Sequence, residues 1–187
     1  MKKKLLALGL AAVMAMGCLT GCGDSAGSGW TEAQHFTYKD ISSWTTMQTP
    51  SEGSGAGKVV ATNDADGYTT IQAADDGWGG VESGYFEIDL AKEPMILAKI
   101  FENPDEYKWG MKIVPENPIA DHEWGCYIID DNNLKWNKYA GIDLRETLGD
   151  DFISIYGEQS KIKLWIYPTG GPEATVSVSE ILIMNTK

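Results

Sequence analysis

Short runs of alternating apolar and polar residues, broken by Gly, Asn, Asp and Pro, fill the chain from Trp30 onward. There is no heptad series, internal repeat or long amphipathic helical pattern, so the periodicity predicts an all-β domain. The runs place strands over Gln34–Lys39, Lys58–Thr62, Tyr68–Ala73, Tyr85–Leu90, Met95–Phe101, Tyr107–Val114, Lys161–Pro168 and Ala174–Met184, with a further strand entered near Tyr127. Asn63-Asp64-Ala65-Asp66-Gly67 joins the second and third of these as a hairpin turn.

Alternation also assigns faces. Phe86, Ile88 and Leu90 lie opposite Tyr85, Glu87 and Asp89, which describes a half-buried strand. Met95–Phe101 is apolar on both faces and so is central. In the next strand Tyr107, Trp109, Met111 and Ile113 share one face, which places Trp109 in the core. From Lys161 to Pro168, Ile162, Leu164 and Ile166 supply the apolar face, so Lys163, Trp165 and Tyr167 stand on the opposite one. Flat rings on a second face meet either a ligand or a covering segment. If they stack on a sugar, Trp165→Ala costs little stability and abolishes binding.

The first residues follow different rules. Lys2, Lys3 and Lys4 precede an apolar run from Leu5 to Met16, which suits an export signal and is too short to span a bilayer. It ends in Leu19-Thr20-Gly21-Cys22, which resembles the lipobox of bacterial lipoprotein precursors at all four positions. That resemblance implies that residues 1–21 are a lipoprotein signal peptide and that Cys22 becomes the acylated N-terminus, placing the protein outside the cytoplasm on the bacterial cell membrane. Residues 22–29 then form the lipidated cysteine and a Gly/Ser spacer, and residues 30–187 the folded domain.

Charge narrows the partners. Removing residues 1–21 takes three of the 15 Lys and Arg and none of the 27 Asp and Glu, leaving the remainder at −15. Arg145 is the only arginine, so a phosphate backbone finds no basic cluster and nucleic acid is excluded. The same charge disfavours anionic headgroups and acidic glycans; contact with the membrane is through the anchor alone. Once Cys18 is removed and Cys22 acylated, Cys126 is the remaining thiol, which precludes an internal disulfide.

Candidate chemistry is sparse. Asp121, His122 and Glu123 are adjacent at a strand entrance, where neighbours point to opposite faces and do not close on one metal. The Asp64-Ala65-Asp66-Gly67 core has Ala73 where a calcium loop carries its bidentate acid. No nucleophile-elbow or zinc-protease motif is present, and the carboxylate pair Asp121 and Glu123 would lie on one side of a substrate instead of flanking it. The chain therefore reads as a binding protein and not an enzyme.

The succession Trp78-Gly79-Gly80-Val81-Glu82-Ser83, Phe86-Glu87-Ile88-Asp89-Leu90, Trp109-Gly110-Met111-Lys112-Ile113, Gly141-Ile142-Asp143-Leu144 and Val178-Ser179-Glu180-Ile181 resembles carbohydrate-binding jelly-roll domains of the galactose-binding-like class. The resemblance implies a two-sheet antiparallel β-sandwich, a glycan ligand, and a structural Ca2+ with Glu180 as its acidic ligand. Trp165 and Tyr167 are the candidate stacking platform, with Trp136, Trp124 and Tyr127 from neighbouring segments and Asp121 as a hydroxyl acceptor. The alternatives are an envelope module with a protein partner and, further off, a glycan-degrading enzyme.

Overall fold

The computed structural model describes residues 30–47, 57–75, 79–92, 94–102, 108–117, 127–130, 138–144, 154–156 and 161–186. Its strands are β1 (Trp30–Thr37), β2 (Thr45–Thr46), β3 (Lys58–Asn63), β4 (Tyr68–Gln72), β5 (Val81–Glu82), β6 (Phe86–Glu87), β7 (Met95–Glu102), β8 (Lys108–Pro115), β9 (Tyr127–Asp130), β10 (Lys138–Asp143), β11 (Lys161–Thr169) and β12 (Thr175–Thr186). One short helix, α1 (Tyr38–Ser42), follows β1.

The strands form two antiparallel sheets. In the first, β10, β7, β12, β4 and β3 lie side by side and β1 also pairs with β12; in the second, the order is β2, β5, β11, β8 and β9, with β6 also on β11. The chain is thus all-β, as its periodicity predicts, and forms the two-sheet sandwich that the resemblance implies. Between the sheets lie Ile71, Ile96, Ala98, Ile100, Val176, Val178, Ile181 and Ile183 from one side and Trp109, Met111, Ile113, Ile162, Leu164 and Ile166 from the other. Burying these side chains is the main favourable term of folding.

A bulge lets β12 serve that core along its length. Val178 pairs with Ile100 and Glu180 with Lys99, so β12 carries one residue more than β7 there. The extra residue reverses the alternation, and Val176, Val178, Ile181 and Ile183 all point inward. Glu180 is left on the outer face.

Two local expectations change. The first strand ends at Thr37, where Tyr38 and Lys39 were expected to continue it, because Thr37 caps α1. Its hydroxyl accepts from the Asp40 amide at 3.4 Å while Asp40 accepts from the Thr37 amide at 2.8 Å. The Thr37 hydrogen bonds hold the Asp40 carboxyl below the usual carboxylate range. The Tyr85–Leu90 run pairs over only two residues and then turns into a 3-10 helix at Leu90–Lys92, although Ile88 and Leu90 are buried as the alternation requires.

Candidate functional site

On the outer face of the second sheet the register lines up one residue from each of β2, β5, β11, β8 and β9. Thr45 pairs with Glu82, Glu82 with Trp165, Trp165 with Lys112 and Lys112 with Tyr127. Residues directly opposite share a face, so charged side chains flank the central tryptophan. All three central members are buried: Glu82 is 8%, Trp165 2% and Lys112 4% exposed.

This burial corrects the expectation for Trp165 and Tyr167. They stand on the face opposite Ile162, Leu164 and Ile166, as alternation requires, but form a second apolar cluster with Met47 and Val114. At 2% and 6% exposure neither offers a ring face to a sugar. Of the two explanations for rings on a second face, the covering segment is the one the fold adopts. Tyr167 lies against the β8 backbone: a Cβ at Gly110, its cross-strand partner, would sit 2.7 Å from the phenol ring, so any larger residue there forces the ring or the strand to shift. Lys112, on the strand face that the sequence leaves polar, is likewise covered, with Nζ 5.2 Å from the Trp165 ring centre.

Beside this row is a groove of about 470 Å³ lined by residues of β1, α1, β2, β5 and the segment up to Tyr85. Its apolar wall is half-buried Phe36 and Trp44, which meet edge to face at 5.2 Å. Phe86 extends the same cluster at 5.2 Å from Phe36. Tyr85 also lines the groove and is 46% exposed. Gln34, Asp40, Ser43, Ser83 and Lys163 add hydrogen-bonding groups. A second hollow, lined by Thr46, Lys58, Val59 and Val81, adjoins it and shares Trp44 and Thr45.

The charges at the groove wall are held by one another. Glu82 Oε2 accepts from the Trp165 indole N–H at 2.8 Å and lies 2.8 Å from Lys163 Nζ. Lys163 Nζ in turn lies 5.3 Å from the Tyr85 ring centre, a cation–π contact.

The outer face of the first sheet carries a second polar cluster. Glu180 accepts from Tyr139 Oη at 2.5 Å on one oxygen, with Lys99 Nζ 3.6 Å from the same atom, and His35 Nε2 lies 3.0 Å from the other. Burial pushes the Glu180 carboxyl up, but the hydrogen bonds from Tyr139 and His35 and the charge of Lys99 outweigh it and hold it below the usual carboxylate range. Burial and Glu180 together push the Tyr139 phenol well above its ordinary value. Glu180 was expected as a calcium ligand. Both its oxygens are instead engaged by donors, and a cation there would have to displace Lys99 and His35. Among the described residues, no group of three His, Cys, Asp or Glu side chains is placed to hold a metal. In the β3–β4 turn Asp64 is bound by Tyr38 Oη at 2.9 Å and Asp66 by Asn63 at 2.9 Å, while Gly67 takes the positive φ of 72° that a hairpin needs.

Of the other expected site residues, Trp124, Trp136 and Asp121 lie outside the described residues, and Tyr127 is placed in β9 opposite Lys112. Trp44 and Tyr85, which form the groove, were not singled out by pattern. Trp44 stands among Ser42, Ser43, Thr45 and Thr46, a large ring in a polar run, and Tyr85 is on the outward side of an alternating run.

No protein-family model and no curated protein matches the chain. Among solved structures it is similar to a xylanase 10C variant from Cellvibrio japonicus in complex with xylopentaose, at 14% identity and a TM-score of 0.51. The match covers 79% of this chain and 28% of that one, so the chain corresponds to only a part of the xylanase. It is also similar to the xylan-binding module CBM15, at 18% identity and a TM-score of 0.48, over 81% of this chain and 96% of that one. At such identity the xylanase likeness speaks to the fold, and it agrees with the β-sandwich described above.

Proposed function

We propose that the chain is a surface-anchored lipoprotein whose sandwich domain binds an uncharged oligosaccharide or polysaccharide without cleaving it. The observation that carries this reading is the groove itself, whose lining combines half-buried Trp44 and the exposed ring of Tyr85 with polar groups. Aromatic rings take the C–H face of a pyranose, and Gln34, Asp40, Ser43 and Lys163 take its hydroxyls.

A non-catalytic role is supported by the state of the two groove carboxylates. Asp40 is engaged by Thr37, which holds its carboxyl below the usual carboxylate range, and Glu82 is engaged by Lys163 and Trp165, so both are occupied by partners within the protein and not presented to a leaving group. The acidic balance of the chain favours a neutral glycan. The Lys2–Lys4 run and Leu19-Thr20-Gly21-Cys22 support the lipid anchor and a location on the outer side of the cell membrane.

Titration calorimetry and tryptophan fluorescence with xylopentaose and a panel of other neutral oligosaccharides test the reading. A saturable signal that disappears in Trp44→Ala and Tyr85→Ala is expected. Silence across the panel sinks it.

A further inference from the structure

Trp165 lies behind the groove wall, yet its indole N–H is the first link of a chain of contacts that ends at the groove's most exposed ring. It donates to Glu82 at 2.8 Å; the same oxygen lies 2.8 Å from Lys163 Nζ; and Lys163 Nζ lies 5.3 Å from the ring centre of Tyr85. We infer that Trp165 is a positioning residue for the groove, fixing Glu82 so that Lys163 holds Tyr85 in a single orientation. This deepens the glycan-binding reading and rests on it for the ligand, though not for the geometry.

The energetics favour a positioning role over a purely structural one. The Glu82–Lys163 ion pair, with side chains 10% and 14% exposed, takes two charges largely out of water. Such buried ionic clusters are often no more stable than well-packed apolar side chains of the same volume. What an ion pair adds is direction: one oxygen, one ammonium and one ring face with a defined mutual placement. An exposed tyrosine on an irregular segment such as Ser83–Tyr85 otherwise samples several rotamers, and each binding event then carries the cost of ordering it. Lys163 over the ring removes that freedom beforehand and leaves the other face of Tyr85 for a ligand.

The test uses Trp165→Phe in the full chain, which keeps a buried ring and removes the N–H. Carbon-13 labels on tyrosine rings and on lysine Cε report Tyr85 and Lys163 in the free protein, and calorimetry with xylopentaose and the neutral panel reports binding. The expected result is a shift or broadening of both resonances, with affinity falling about tenfold, the factor that corresponds to roughly 1.4 kcal/mol. Resonances of Tyr85 and Lys163 that stay where they were overturn the inference. If both resonances move but the unsubstituted chain binds no glycan, the positioning role stands and the glycan reading fails. Should Trp165→Phe not fold, the indole N–H signal of Trp165 in the unsubstituted chain decides. It should resist hydrogen exchange and move in Glu82→Gln; an indole proton that exchanges freely and ignores that substitution overturns the inference.

Discussion

His35 and Glu180, 145 residues apart in the chain, meet with 3.0 Å between Nε2 and Oε2, so the strand nearest the proposed anchor is tied to the last strand of the sandwich. Glu180 is also bound by Tyr139 and lies beside Lys99. Its carboxyl is held low in the folded state. The stability it contributes is therefore present above the ordinary carboxylate pKa of 4.5 and is lost as pH falls through the lower folded-state value. Thermal melts from about pH 6 to about pH 3 should show a falling midpoint, and Glu180→Gln should flatten that acid limb. A slope unchanged by the substitution would assign acid sensitivity to other carboxylates.

Tyr85 and Trp44 should separate binding from folding. Tyr85→Ala, at an exposed position, should change stability by no more than about 0.5 kcal/mol. Its affinity for a bound glycan should fall tenfold or more, about 1.4 kcal/mol. Trp44→Ala removes a ring that packs on the core and so should lower both stability and affinity. Denaturant melts beside calorimetry distinguish the two outcomes.

Trp165→Ala should behave as a core substitution. Opening a cavity of that size costs about 3–5 kcal/mol. The change also leaves Glu82 without the indole donor in a place where it is 8% exposed. Urea unfolding measures it, and a loss below about 1 kcal/mol would return the ring to the surface.

Gly110→Ala probes the close approach of Tyr167. The new methyl would meet the phenol ring at 2.7 Å, so either the ring or β8 must shift. Overpacking of this kind costs about 1–3 kcal/mol, readable as a lower unfolding midpoint.

Cys22 carries the proposed anchor. Each buried acyl methylene adds roughly 0.8 kcal/mol to membrane binding, so two or more chains hold the protein firmly. Cys22→Ser should move it from the membrane fraction to the soluble one and abolish incorporation of labelled palmitate. Continued pelleting with membranes would count against acylation as the tether.

The period of two along the chain determined the all-β class, most strand positions, the inward set Ile162, Leu164 and Ile166, and the burial of Trp109. These are local properties, because alternation and turn residues act over a few positions. The turn at Asn63–Gly67 was legible for the same reason, and the opposite placement of Trp165 followed from it too. Whether that second face is open or covered was settled only by tertiary packing, since it depends on Met47 and on cross-strand partners far away in sequence. The same holds for Glu180, whose partners come from β1, β7 and β10, and for the groove, which joins Phe36 and Trp44 to Tyr85 and Lys163. Alternation says which way a side chain points; only long-range register and the stacking of one sheet on another say what it meets.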